Sequence, residues 1–229
     1  SWVHMEEPDK ATLKAKDLVK MAVARVRRLE PLEPVKLPVT KVGLVLGGGI
    51  AGMSAARALA DAGFDVYLVE REKELGGNAR TISRTIEGED VQRRLEQMVA
   101  LVNSHPRIKV YTGATVKKID GFVGSYETTL EHKGELIKVK HGVVILATGA
   151  RYREPVEYLY GKSEQVKTQQ ELERMIEMGA VAKRSGANSV VMIQCVGSRD
   201  DERPYCSRIC CTQAIKNAIT LKELNPETD

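Results

Sequence analysis

The sequence predicts an α/β fold: a parallel sheet with a small antiparallel insertion, followed by part of a second α/β unit. Three observations carry that reading. Short unbroken apolar runs at 42–46, 65–69 and 143–148 alternate with stretches of helical periodicity, the pattern of parallel strands covered on both faces. A glycine-rich turn joins the first run to an Ala-rich helical stretch. Segments near 108–118, 121–131 and 135–140 read as short strands with brief turns between them, the antiparallel insertion.

In chain order, residues 8–29 read as an amphipathic helix. Ala15, Leu18, Val19, Ala22, Val26 and Leu29 recur at helical spacing, and Lys10, Lys14, Lys16, Lys20, Arg25, Arg27 and Arg28 fill the other positions. Such a basic face suits a solvated docking arm, or contact with an acidic partner or membrane surface. Pro31, Pro34 and Pro38 make an extended linker. The helix at 50–62 stops at Gly63. A second helix spans 89–104, with Val91, Leu95, Met98, Val99 and Val102 on one side and Pro106 beyond its end. Residues 167–184 read as a helix, 189–194 as a buried strand and 207–224 as a closing helix. The expected organisation is an arm and linker over 1–40, a first α/β domain over 41–150, and a partial second domain over 151–229. Ser1 at one end and a turn-like segment at 225–229 lead us to expect a fragment of a longer polypeptide.

Composition narrows the function classes. The 229 residues are 42% hydrophobic and 29% charged, ordinary for a globular chain. The balance of 35 Lys+Arg against 31 Asp+Glu is mildly basic, aromatics are 4%, and no basic block is joined to stacking aromatics, so nucleic-acid binding is not expected. No apolar run approaches the roughly 20 residues of a membrane span. No signal peptide is apparent, and the cysteine usage reads as that of a cytoplasmic protein.

Residues 47–52, Gly-Gly-Gly-Ile-Ala-Gly, fit G-x-G-x-x-G between a strand and a helix. Gly47 permits the tight turn, Gly49 lets the backbone approach a pyrophosphate, and Gly52 allows close packing of helix on strand; the amides of Ile50 and Ala51 open the helix toward the anion. Glu70 ends the second strand, placed to accept from ribose hydroxyls. Gly76-Gly77 follows it, and Ala147-Thr148-Gly149 closes the later apolar run.

These four motifs, in this order over 41–150, resemble the two-dinucleotide-binding-domain flavoproteins, the superfamily of thioredoxin and glutathione reductases. The resemblance implies a Rossmann-like FAD-binding domain. It implies that Gly76 and Gly77 run along the flavin's phosphates, that Ala147, Thr148 and Gly149 lie close to FAD, and that backbone around Val116 brackets the adenine. Arg71 is a candidate for the adenosine pocket, with a surface arginine as the alternative. A second nucleotide unit of that superfamily would repeat the glycine turn. Here the expected strand at 189–194 runs instead into Cys195, with no second G-x-G-x-x-G, which argues against an ordinary NAD(P)H site.

All four cysteines, Cys195, Cys206, Cys210 and Cys211, fall in a C-x10-C-x3-C-C run. Clustered thiols point to a metal or redox centre rather than a disulfide framework. Four thiolates suit a [4Fe–4S] cluster or a structural zinc, and redox-active thiols or inert buried cysteines remain as alternatives. The spacing matches neither paired zinc-ribbon motifs nor the ferredoxin run, so it does not choose among them. If Cys206 precedes the closing helix, Cys210 and Cys211 fall in its first turn, where the dipole favours negative charge.

The run from Gln194 to Asp200 followed by Pro204 to Cys211, together with 1–4, 29–33 and 47–80, resembles the A subunit of heterodisulfide reductase and its relatives. That resemblance implies a non-covalent FAD and a [4Fe–4S] cluster held by Cys195, Cys206, Cys210 and Cys211. It also implies an oxidoreductase subunit distributing electrons among the other subunits of a redox complex, by flavin-based bifurcation in some members. Ferredoxin is a candidate partner and a homodimer a candidate assembly. The chain departs from the family in having no cysteine over 78–97 and no ferredoxin motif. Lys216, about a helical turn beyond Cys211, is the candidate catalytic residue: a cation able to stabilise reduced, anionic flavin, or else a solvated lysine. Arg199 and Arg208 either neutralise cluster charge or face water. Two other functions compete: a non-catalytic flavin-fold scaffold with a structural zinc or thiol site, and a stand-alone FAD-dependent disulfide reductase.

Overall fold

The computed structural model describes residues 5–31, 34, 36–183 and 189–229, without the side chains of 182 and 183. The expectations at 1–4, 32–33 and 184 lie outside the described residues. The chain divides into two compact units, Ser1–Leu37 and Pro38–Asp229. The first is built on helix α1 (Pro8–Val26), with Pro8 in the first turn, where its missing N–H costs nothing, and Arg25 at the negative end of the dipole.

The second unit is built on a parallel sheet of order β3-β2-β1-β7. Its strands are β1 (Val42–Leu46), β2 (Asp65–Glu70), β3 (Ile108–Thr112) and β7 (Val143–Leu146). Alternation puts neighbouring residues on opposite faces. Val45, Val66, Leu68 and Ile108 pack against α2 (Ile50–Asp61) and α3 (Val91–Ser104) through Met53, Ala56, Ala60, Leu95 and Val102. Leu44, Val69 and Tyr111 face the other way, onto Ala114, Leu130 and Val139 of an antiparallel sheet. That sheet is β4 (Ala114–Phe122), β5 (Ser125–His132) and β6 (Glu135–His141), paired in sequence order. Its buried Thr128 and His141 satisfy each other at 2.7 Å.

The α/β class and both sheets are as expected, with two corrections. The segment 108–118 is two strands. Gly113, at φ +62, ends β3 in the parallel sheet and starts β4 in the antiparallel one. The segment 189–194 is not a strand. Val190 N donates to the Asp229 carbonyl (2.7 Å) and Val191 is 84% exposed, so an apolar run without a neighbour to pair with stays irregular. Among the described residues, 151–229 therefore hold helices alone: α4 (Gln169–Glu177), α5 (Ala180–Lys183) and α6 (Cys210–Leu224). A capping box of Thr168 and Glu171 starts α4, and Gly179, at φ +65, separates it from α5 where the sequence predicts one continuous helix.

Helix α6 buries a mostly polar stripe, Gln213, Ala214, Lys216, Asn217 and Leu221, while Ile215 and Ile219 are exposed. The polar stripe meets polar partners. Asn217 donates to the carbonyl and side-chain oxygen of Gln169 (3.0 and 2.8 Å), and Gln213 donates to Glu173 (3.2 Å).

Candidate functional site

The glycine turn is a cradle set by backbone contact. Gly47 N donates to Val69 O and Ala147 N to Leu46 O, both at 2.8 Å, so the turn sits where three strands end. Gly47 has φ +111, and a Cβ on it would overlap the Ala147 carbonyl; a Cβ on Gly52 would overlap the Gly47 carbonyl. At Gly49 the opposite holds: an added Cβ meets nothing within 4 Å, so that side of the turn is open. Gly49 is also the N-cap of α2 and no side chain caps the helix, with Ile50 and Ala51 exposed at its start. Open space, uncapped amides and the positive end of a helix dipole are what a pyrophosphate requires.

The other expected flavin motifs gather on this turn. Gly76 N donates to Gly48 O at 2.8 Å, and Gly49 and Gly76 form a parallel bridge. Gly76 (φ +121) leads into a short 3₁₀ turn over Gly77–Thr81. Asn78 donates from Nδ2 to Ala150 O at 2.9 Å, tying that turn to the segment just past Ala147, Thr148 and Gly149. Asn78 carries no motif, and its partner 72 residues away left no trace in the sequence.

Glu70 is buried, and its carboxylate braces the turn: Oε2 accepts from Gly48 N (2.5 Å) and Oε1 from Glu72 N (2.9 Å). A carboxylate has further lone pairs, so it can accept from a ribose hydroxyl as well. Arg71 is exposed and lies 3.3 Å from the Glu72 carboxylate, a surface pair of small energy. Val116 is half-buried in β4 beside the second core, and Gly113 N donates to Glu72 O at 2.7 Å, so β4 starts next to the end of β2. The cradle and its open side fit an FAD.

The cysteines lie on an irregular loop and the start of α6. Cys195 has φ +61, and Arg199 and Arg208, at φ +59 and +60, share that left-handed conformation, which costs a non-glycine residue on the order of 1 kcal/mol or more. The loop is braced by its own backbone: Ser198 N donates to Cys195 O (3.1 Å), and Arg199 N to the carbonyls of Arg203 (2.7 Å) and Tyr205 (3.3 Å). Cys206 precedes α6 as expected, its Sγ accepting from Arg208 N at 3.3 Å, and Cys210 opens the helix. All four thiols are free, with Cys195 and Cys210 half-buried. Desolvation raises the Cys211 thiol above its usual value, and Cys210, Cys195 and Cys206 push the same way. Among the described residues no three His, Cys, Asp or Glu are gathered to hold a single metal ion. The donor set, four soft thiols with two in the first turn of a helix, fits in kind a thiolate-bound cluster.

Lys216 is not solvated. Its ammonium donates to Glu173 Oε1 (2.5 Å) and Arg84 O (3.2 Å), and the two side chains are 8% and 2% exposed. Glu173 also accepts from Ser83 N (2.9 Å), Ser83 Oγ (3.2 Å) and Gln213. Burial pushes its carboxyl up, but the bonds from Lys216, Ser83 and Gln213 outweigh burial and leave it below the usual glutamate value. Arg84 adds bonds to Thr220 and Glu223 (2.5 and 2.6 Å). The segment just past the Gly76-Gly77 turn is thus sewn to the helix that carries Cys210 and Cys211. Reading the sequence missed Glu173, Ser83 and Gln213, because their partners lie 40–90 residues away.

This fold and site define a class, the flavin oxidoreductases. The chain belongs to the pyridine nucleotide-disulphide oxidoreductase family, whose profile matches residues 43–193. It is 33% identical to the second iron-sulfur A subunit of the CoB--CoM heterodisulfide reductase of Methanopyrus kandleri, over 100% of this chain and 48% of that one. It is also 33% identical to the A subunit of the H(2):CoB-CoM heterodisulfide,ferredoxin reductase of Methanothermobacter marburgensis, over 100% and 48%. The chain thus spans about half the length of these relatives. The first alignment runs over 318 positions, more than the 229 residues of this chain, so that relative has extra residues inside the aligned span. Among solved structures, L-proline dehydrogenase from P. horikoshii superposes with a TM-score of 0.43 at 25% identity, over 53% of this chain and 25% of that one. Among the described residues no helix is long and apolar enough to cross a membrane.

Proposed function

We propose that the chain is the flavin- and cluster-bearing part of a heterodisulfide-reductase-A-like electron-transfer subunit, relaying electrons between partner subunits of a redox complex. Bifurcation, the splitting of an electron pair between two acceptors, is the finer form of this reading, and ferredoxin is a candidate acceptor. The observation that carries it is the polar seam of Ser83, Arg84, Glu173, Gln213 and Lys216, which joins the glycine cradle to the cysteine helix within one compact unit.

In this reading Gly47, Gly49, Ile50, Ala51 and Gly52 hold the pyrophosphate of FAD. Glu70 and Arg71 flank the adenosine ribose and Val116 its adenine; Gly76 and Gly77 line the phosphates, and Ala147, Thr148 and Gly149 the flavin side. Cys195, Cys206, Cys210 and Cys211 are the ligands of a [4Fe–4S] cluster. Bound FAD supplies exchange between two-electron and one-electron chemistry, and the cluster one-electron transfer. Lys216 is the candidate cation for a reduced flavin, with Glu173 the carboxylate that holds its ammonium in the core. The division into 41–150 and 151–229 is a proposal about folding units that share this seam.

Anaerobic purification with assay of flavin, iron, sulfide and zinc tests the reading. Flavin together with iron and sulfide is expected. Stoichiometric zinc without iron would sink it in favour of a scaffold. NAD(P)H-dependent disulfide turnover by the chain alone would favour a reductase.

A further inference from the structure

Gly197, two residues beyond Cys195, has φ +68, and a Cβ built on it would overlap the guanidinium of Arg153. That group therefore lies directly against the backbone of the cysteine turn, in space that only glycine leaves free. Glu157 locks the same guanidinium in place. Arg153 donates from Nη1 to Glu157 Oε2 (3.0 Å) and from Nη2 to Oε1 (2.9 Å), a bidentate pair, and Val156 N donates to Oε2 at 2.8 Å. The hydrogen bonds from Arg153, then those from the Val156 and Glu157 amides, hold the Glu157 carboxyl at about 2, so the clamp stays charged over the whole working pH range.

The surroundings show what the clamp braces. Glu157 and Tyr158 line a cavity of about 470 Å³ together with Gln194, Cys195, Gly197 and Arg199. Tyr158 and Leu159, like Cys195 and Arg199, are left-handed at φ +53 and +64. Left-handed residues of both segments, Tyr158 on one side and Cys195 and Arg199 on the other, thus line one cavity, and Arg153 links the segments through Glu157 and Gly197. Strained backbone of this kind persists only where its surroundings over-determine it.

We propose that Arg153 and Glu157 are a positioning pair for Cys195: the clamped guanidinium backs Gly197, fixes the direction of the Cys195 side chain, and offsets the Glu157 carboxylate beside it. The geometric part stands on contacts alone. The effect on a cluster rests on the function proposed above.

The test compares the wild-type chain with Arg153→Ala, Arg153→Lys and Gly197→Ala. In the cluster-free chain, mass-mapped labelling with a neutral maleimide follows each cysteine separately. Arg153→Ala should raise labelling of Cys195 about fivefold relative to Cys206, as expected for a turn that opens locally at a cost of about 1 kcal/mol less. Gly197→Ala, which evicts the guanidinium, should do the same, and Arg153→Lys, which keeps charge without the flat fork, should not restore the wild-type ratio. A merely structural role would raise all four cysteines together, and that result, or an unchanged ratio, overturns the proposal. In the chain reconstituted with iron and sulfide, Arg153→Ala should shift the reduction equilibrium about tenfold toward the oxidised form, about 59 mV for one electron, because the Glu157 carboxylate, left without its cation, disfavours the more negative state. A wild-type potential in that variant overturns the electrostatic half. If the wild-type chain takes up no iron, the proposed function fails, and the labelling ratio still decides whether the pair positions Cys195.

Discussion

The two halves of the candidate site both need left-handed backbone, and they obtain it differently. Among the described residues, the nucleotide half places glycine at nearly every such bend, Gly47, Gly63, Gly76, Gly77, Gly113 and Gly149 among them, with Lys133 at φ +52 as the exception. The cysteine half has glycine at Gly161, Gly179 and Gly197, but it also bends this way at Cys195, Arg199 and Arg208, and at Tyr158 and Leu159. Glycine adopts that conformation freely, whereas the others carry strain of about 1–3 kcal/mol each. The glycine cradle is relaxed as it stands. The cysteine loop is held by neighbours, and binding of a cluster would add to that hold. Folding of the two halves should therefore respond in opposite ways to the same kinds of substitution.

The largest effect is expected where the cradle has no slack. Gly52→Ala drives a methyl into the Gly47 carbonyl and should cost about 4 kcal/mol or more, read as a lowered urea midpoint, with loss of flavin uptake. Next is the seam between the halves. Lys216→Ala leaves Glu173 buried without its cation and should cost about 3–5 kcal/mol, while the double change Lys216→Met with Glu173→Leu should recover part of that loss, less the bonds that Ser83 and Gln213 then give up. Equal losses in the single and double variants would show that the seam is packing, not charge. The contrast between the halves is sharpest in a third pair. Arg199→Gly should stabilise the cluster-free chain by about 0.5–1 kcal/mol, whereas Gly63→Ala, at φ +92 with open space around it, should destabilise by about 1 kcal/mol. The same sign for both would erase the distinction.

The smallest effect is one of pH. Burial lowers the His141 pKa below 6.5, and its bond to the Val143 carbonyl offsets this only in part. The unfolded chain then takes up the proton first. This contribution to stability is whole above about pH 6.5 and is lost as pH falls toward the depressed folded value. His141→Asn should flatten that slope in pH-dependent urea melts.

Much of the nucleotide half is legible before folding, because its signals are local. Strand, glycine turn and helix follow within 42–61, and Glu70 and Gly76-Gly77 come soon after. The cysteine half is readable only as a set of residue types. Its apolar run at 190–193 has strand composition, but strandness needs a hydrogen-bonding neighbour, and composition cannot supply one. Cys206 before the helix and Cys210 at its start follow from Pro204 and the helical spacing, whereas the left-handed angles at Cys195 and Arg208 have no residue signature, since neither is glycine. The burial of Lys216 is also invisible in the sequence, because its carboxylate lies 43 residues earlier in the chain on another helix.

The most direct test of a flavin and a cluster sharing one unit is a reductive titration of the chain reconstituted anaerobically with FAD, iron and sulfide, followed by absorbance and electron paramagnetic resonance. The account predicts uptake of about three electrons per chain, two by flavin and one by a [4Fe–4S] cluster, with a cluster signal on reduction. Uptake of about two electrons without a cluster signal, or no uptake at all, would contradict it.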